Sequence, residues 1–103
     1  PVSGLELEIA WDPTKARANL TKHGVSFSQA ATVLTDPLAL TVFDATHSRD
    51  EERWFTLGTS TDGRLLAVAH TFRQTGSQTA MVRIISARDA SRQERRQYET
   101  QPR

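Results

Sequence analysis

Two apolar runs in the second half of the chain set its pattern: Arg64–Arg73, RLLAVAHTFR, and Ala80–Arg88, AMVRIISAR, separated by the polar stretch Gln74–Thr79 around Gly76. Both are rich in β-branched and apolar residues and free of Pro, which is how interior strands read. Side chains alternate between the faces of a strand, so Arg83, Ile85 and Ala87 are expected on one face and Val82, Ile84, Ser86 and Arg88 on the other. Trp54–Thr59 reads as the preceding strand, and Thr61-Asp62-Gly63 as a hairpin turn into the Arg64 run, Asp-Gly being a strong turn signal. Earlier, Leu5, Leu7 and Ile9 alternate with Glu6, Glu8 and Ala10, a half-exposed strand whose glutamates suit a sheet edge. Leu38, Leu40 and Val42 alternate with Ala39, Thr41 and Phe43 in the same way.

Between these strands the period lengthens. Asp12-Pro13 sets an N-cap carboxylate before a proline at the first helical position, and the predicted helix runs to Lys22-His23-Gly24. Gly24 suits the left-handed position past a helix end, and Lys22 and His23 put cations where the helix dipole favours them. Ser26 opens a second helix, with Gln29 completing a capping box and Val25 stapling onto Ala30. Phe27, Ala30, Ala31 and Leu34 form its apolar stripe, and Asp36-Pro37 stops it. Ser91-Arg92-Gln93-Glu94 is another capping box and starts a basic last helix, Arg92–Thr100. Pro1–Gly4 reads as a loose start. The order is strand, two helices, four strands, helix. It predicts an α+β fold, with two N-terminal helices and a C-terminal helix against a mostly antiparallel sheet, in one domain spanning residues 1–103.

Composition narrows the function classes. No stretch approaches the roughly 20 apolar residues of a membrane span, and no basic-then-apolar leader opens the chain, so no membrane partner is expected. The chain has no cysteine, which removes disulfides and thiolate metal sites and fits a cytoplasmic location. The net charge of +1 hides an asymmetry: residues 1–52 hold four Lys/Arg against eight Asp/Glu, and residues 53–103 hold nine against four. An arginine-rich second half suits nucleic acid on one face, or ion pairing with the acidic first half.

The candidate chemistry follows from the same residues. Guanidinium offers five donors in a rigid fork suited to phosphate and is costly inside a sheet without a partner. Arg64, Arg73, Arg83 and Arg88 frame the two strands and point to an anion-binding sheet face, with structural ion pairing as the alternative for each. Asp44–Arg53 is a dense polar run that reads as a solvated loop or a catalytic one. The histidines His23, His47 and His70 share no metal-ligand spacing, and His70 falls on an apolar strand face and reads as a core residue; neither a metal nor another cofactor is expected. There is no Gly-rich phosphate loop and no nucleophile elbow. His23, His47 and the Glu51/Glu52 pair remain for proton transfer and the arginines for charge stabilisation, a cast that suits phosphoryl transfer without a metal.

Three stretches carry a more specific signal: WDPTKARANLTKHGVSFSQAATVLTDP, DATHSRDEERWFTLGTSTDGRLLAVAHTFR and VRIISARDASRQERRQYE. From Trp11 to Glu99 the chain resembles the BrnT family of type II toxins. The family's KHG motif falls on Lys22, His23 and Gly24, its HSxxEER motif on His47, Ser48, Glu51, Glu52 and Arg53, and its RIISAR motif on Arg83 to Arg88. The resemblance implies a small ribonuclease toxin of the RelE/ParE-like structural group that arrests translation. It also implies a ribbon-helix-helix antitoxin (BrnA-like) as partner, and operator DNA bound only through the toxin–antitoxin complex. With no metal, the RNA 2′-hydroxyl is the expected nucleophile, leaving a 2′,3′-cyclic phosphate. Glu51 or His47 would be the base, Arg53, Arg83 and Arg88 would hold the phosphate, and His23 or Lys22 would assist the leaving oxygen. Lys22, Arg64 and Arg73 are expected to bind RNA. The competing reading is a non-catalytic module whose arginines serve only the antitoxin or the operator.

Overall fold

The turn at Asp62-Gly63 sets the first pairing. In the computed structural model, which describes residues 4–102, Gly63 takes φ 89° and joins β3 (Arg53–Thr59) to β4 (Leu65–Thr71). The two strands run antiparallel, with Thr56 opposite Val68 and Gly58 opposite Leu66. β2 (Leu40–Phe43) adds to the outer side of β3, and β6 (Thr79–Asp89) pairs with β4. The Arg64–Arg73 run is not one strand: it breaks at Phe72, and the short β5 (Arg73–Gln74) continues along β6. β1 (Glu6–Ala10) closes the far edge with Glu6 and Glu8 exposed. The sheet order is β1-β6-β4-β3-β2, and the sheet is mixed, because β1 lies parallel to β6 while the other pairings are antiparallel. Nothing local in LELEIA specifies that direction; it follows from where the helices return the chain.

One residue changes which side chains share a face. In β6 the register to β4 shifts, so that Ala69 faces Ser86 but His70 faces Ile84. Ile85 is therefore an extra residue, a β-bulge, and the alternation slips by one across it. Val82, Ile84 and Ala87 are all buried, Ile84 and Ala87 in one core cluster, so the inward face passes from even to odd positions. The expectation that Arg83 and Arg88 lie on opposite faces is corrected: both lie on the face away from that core.

The core itself is built by α1 (Pro13–His23) and α2 (Phe27–Val33). Val25, Phe27, Ala30 and Val33 pack on Leu66, Val68, Ile84 and Ala87, all at 1% exposure or less. Each of the larger ones, the valines, Phe27, Leu66 and Ile84, is worth about 1.5–3 kcal/mol when fully buried. α2 approaches so closely that a Cβ on Gly58 would stand 2.9 Å from Val33 Cγ1, which is why a glycine sits mid-strand there. Asn19 fixes α1 along β6: its amide donates to Ala87 O and Val25 O, and its oxygen accepts from Ala87 N. The second capping box is half made, since Ser26 accepts from Gln29 N but the Gln29 side chain donates to Asp62 Oδ2 at 2.5 Å. On the opposite face, α3 (Arg92–Thr100) lays Tyr98 over Leu57, Leu65 and Ala67, and its Ser91–Glu94 box is complete. Asp36 joins the layers, accepting from Tyr98 OH (2.5 Å) and Thr59 N (2.8 Å). α3 covers only one end of its face and leaves the rest of the sheet open.

Candidate active site

The open end of that face carries a row of polar groups. Ala10 pairs with Arg83, the Arg83 N–H donates to Thr71 Oγ1 at 3.0 Å, and Thr71 pairs with Arg53. The row continues into the Asp44–Arg53 loop, where Asp44 N–H donates to Arg53 O at 2.8 Å. Ser48 closes this loop, donating to Asp44 O at 2.6 Å and accepting from Arg53 N at 2.9 Å. The loop holds a 3₁₀ turn, Ala45–His47, and brings Glu51 back over the sheet.

Glu51 lies between two arginines. Its Oε1 accepts from Arg83 Nη2 at 2.5 Å and lies 3.9 Å from Arg53 Nη2. Half-exposed guanidinium groups are thus held in place with donors to spare, and the buried Arg53 Nε–H makes no hydrogen bond within the described residues. A groove lined by Arg73, Arg83, Glu51, Trp54, Thr71 and Met81 among others runs past Arg83, and a smaller depression lined by His47, Arg49, Glu51 and Arg53 adjoins it at Glu51. Beside it His47 is 63% exposed, and its Nδ1 lies 2.9 Å from Asp44 Oδ2, whose side chain is 11% exposed. A carboxylate can only accept, so Asp44 takes the Nδ1–H, and in the neutral ring Nε2 is then the acceptor.

Beneath the row is His70, 1% exposed, which belongs to the core as its apolar strand face predicts. Its Nδ1–H donates to Thr71 O at 2.8 Å, and its Nε2 accepts from Thr56 Oγ1 at 2.7 Å; Thr56 in turn accepts from Thr41. Burial holds the His70 pKa below its ordinary value and keeps the ring neutral. Through Thr71 it steadies the residue on which the Arg83 backbone rests.

The structure gathers His47, Glu51, Arg53, Arg73 and Arg83 at one end of the sheet. It does not bring the rest there. Lys22 and His23 end α1 beyond Ala87, where the Gly24 carbonyl accepts from Arg64 Nη1 at 2.9 Å. Arg64 precedes β4 and Thr71 ends it, so the two clusters lie on the order of 20 Å apart at strand spacing. Arg64 is committed to Asp89 by three hydrogen bonds of 2.9–3.2 Å, and Arg88 forms a two-pronged pair with Glu94 at 2.7 and 3.0 Å. That pair and the Ser91 cap hold the Glu94 carboxyl down at about 2. Arg88 does share the open face, two rows nearer α3. Sequence reasoning passed over Asp44 and Thr71. The Asp44–His47 spacing of three is a usable signal for the first; Thr71 shows only once the strands are paired. Among the described residues no three His, Asp or Glu side chains converge as metal ligands would.

Comparison with known proteins bears on what this arrangement does. Residues 11–94 match the model of a family described as the ribonuclease toxin BrnT of type II toxin–antitoxin systems. The chain belongs to the BrnT family. Its fold is similar to the crystal structure of the Brucella abortus ribonuclease toxin BrnT, with a TM-score of 0.54 at 26% identity, over 84% of this chain and all of that one. No curated protein matches it. As a member of the BrnT family the chain is a ribonuclease toxin with RNA as its substrate and an antitoxin as its partner. No helix among the described residues is long and apolar enough to cross a membrane.

Proposed function

We propose that this BrnT-family toxin cuts single-stranded RNA by attack of the 2′-hydroxyl on the adjacent phosphorus, without a metal, and thereby arrests translation in the cytoplasm. The observation that supports it most is an Asp-oriented imidazole that lines one depression with Arg53 and Glu51, the carboxylate that also holds Arg83. His47 Nε2 takes the 2′ proton, with Asp44 stabilising the imidazolium that results; the P–O5′ bond breaks, leaving a 2′,3′-cyclic phosphate, and the departing 5′-oxygen takes its proton from water. Arg53 and Arg83 hold the non-bridging oxygens and the charge that builds on them. Glu51 acts as the anchor that aims Arg83, which favours His47 over Glu51 as base. Lys22 and His23 are left out of the chemistry because they lie at the other end of β4. DNA has no 2′-hydroxyl and is spared.

The one-domain, RelE/ParE-like architecture belongs to the same proposal, as does inhibition by a ribbon-helix-helix antitoxin that covers the arginine-bearing face and carries the pair to operator DNA. The direct test is incubation of end-labelled RNA with antitoxin-free protein in EDTA. The expected result is cleavage that is lost in His47→Gln and strongly reduced in Asp44→Asn. Cleavage only when Mg²⁺ is added back would overturn the metal-free step.

A further inference from the structure

The face that carries Arg53 and Arg83 continues towards α3. One pleat on, a second row crosses four strands: Val42 opposite Phe55, Phe55 opposite Ala69, Ala69 opposite Ser86. Residues i and i+2 of a strand share a face about 6.5 Å apart, so Phe55 follows Arg53 at that distance. Val42 is 62% exposed and Phe55 38%, and the Phe55 ring takes part in neither aromatic contact of the described residues. With Leu40 and Leu57 they floor a shallow depression whose far wall is Arg88, Glu94 and Gln97. The small side chains of Ala69 and Ser86 leave height beside the ring.

Val42 on the edge strand β2 and Phe55 beside it on β3 make an exposed apolar patch, and the charge that flanks it says which occupant suits it. The row has guanidinium groups on both sides, Arg53 and Arg83 towards the loop and Arg88 towards α3, the last brought to this face by the bulge at Ile85 and sharing its charge with Glu94. A flat apolar ring between cations matches one nucleotide of a single strand, its base stacked and its phosphates paired. We propose that Phe55, flanked by Val42, is a stacking platform for the base of a nucleotide next to the cleaved phosphodiester. This rests on the reading that RNA is cut at the Arg53–Arg83 end. Every base offers a π-face, so the platform selects unpaired RNA without selecting a sequence.

The test uses a short, fluorescein-labelled, fully 2′-O-methylated oligonucleotide, which cannot be cleaved, with anisotropy as the readout. Phe55→Leu keeps an apolar side chain and removes the ring; it should weaken binding on the order of ten-fold or more. Phe55→Tyr keeps the ring and should bind within about two-fold of the parent. Thermal melts of both variants check the fold. Equal affinity for the parent and Phe55→Leu overturns the platform, as does a variant that loses antitoxin binding alone, which would make the patch a protein-docking site. Cleavage is scored separately. A parent protein that binds the probe through Phe55 but never cuts RNA would sink the nuclease mechanism and leave the platform standing. Cutting by Phe55→Leu at the parent rate with sub-saturating RNA would do the reverse.

Discussion

Replacing Arg83 with alanine separates a catalytic charge from a structural one. Its partner Glu51 is 39% exposed and Arg83 itself 43%, so their ion pair, although short, sits largely in water. Exposed pairs contribute about 0.2–1 kcal/mol to stability. In a domain of this size that lowers Tm by less than about 8 °C. The transition state is a different matter, because its extra charge falls on the donors this guanidinium supplies. Loss of one such donor costs about 2.7–4 kcal/mol, or on the order of 10²–10³ in rate. Single-turnover cleavage of labelled RNA, beside a thermal melt, reads both numbers on one preparation. Arg17→Ala is the control: Arg17 is exposed on α1 and its guanidinium hydrogen bond is to Thr14 Oγ1 at 3.3 Å. Glu51→Gln combined with Arg83→Ala should be no worse than Arg83→Ala alone if Glu51 works by aiming Arg83. Equal rates for Arg83→Ala and Arg17→Ala, with both proteins folded, would refute the localised phosphate site.

His70 has its pKa lowered by burial, so the unfolded chain takes up the proton first; stability is full above about pH 6.5 and declines as pH falls from there towards the folded value, and Tm against pH should be flatter in that window for His70→Phe. The Glu94 carboxyl, held at about 2, contributes stability that is present above its unfolded value of 4.5 and lost as pH falls towards 2. Glu94→Gln should therefore cost about 1 kcal/mol at pH 7 in denaturant titrations, as the cap and the Arg88 pair weaken, and nearly nothing at pH 2. Gly63→Val should destabilise the β3–β4 hairpin by about 1–2 kcal/mol, since φ 89° is hostile to a β-branched residue, whereas Gly63→Asn should cost less; chemical denaturation of the two variants measures the difference.

What the sequence disclosed was local. Asp12 does cap α1, Gly24 does take φ 68° past its end, Ser91 and Glu94 do close their box, and Asp62-Gly63 does turn the hairpin, because each depends on neighbours within four residues. The bulge at Ile85 depends on a count between two strands, so the face assignment of Arg88 was invisible until β4 and β6 were paired. The parallel seat of β1 on β6 joins residues some seventy positions apart and has no local signature. Charge counting leaves open whether the basic half meets nucleic acid or pairs with the acidic half; Arg64 and Arg88 in fact pair with Asp89 and Glu94, residues of their own half. Arg83 and Arg53 are the ones that reach across, both to Glu51. Of the candidate site, the HSxxEER residues and Arg83 came together because one sheet end gathers them. Lys22 and His23 did not, because α1 carries them along β6 to its other end.

In the proposed reaction the RNA supplies its own nucleophile at the Arg53–Arg83 end of the sheet. This is tested most directly by mapping the cut in a labelled RNA, replacing the single 2′-hydroxyl beside it with hydrogen, and analysing the ends by mass spectrometry. Intact RNA should end in a 2′,3′-cyclic phosphate, and the substituted position should not be cut. Unchanged cleavage there, with a 3′-hydroxyl and a 5′-phosphate as the new ends, would contradict it.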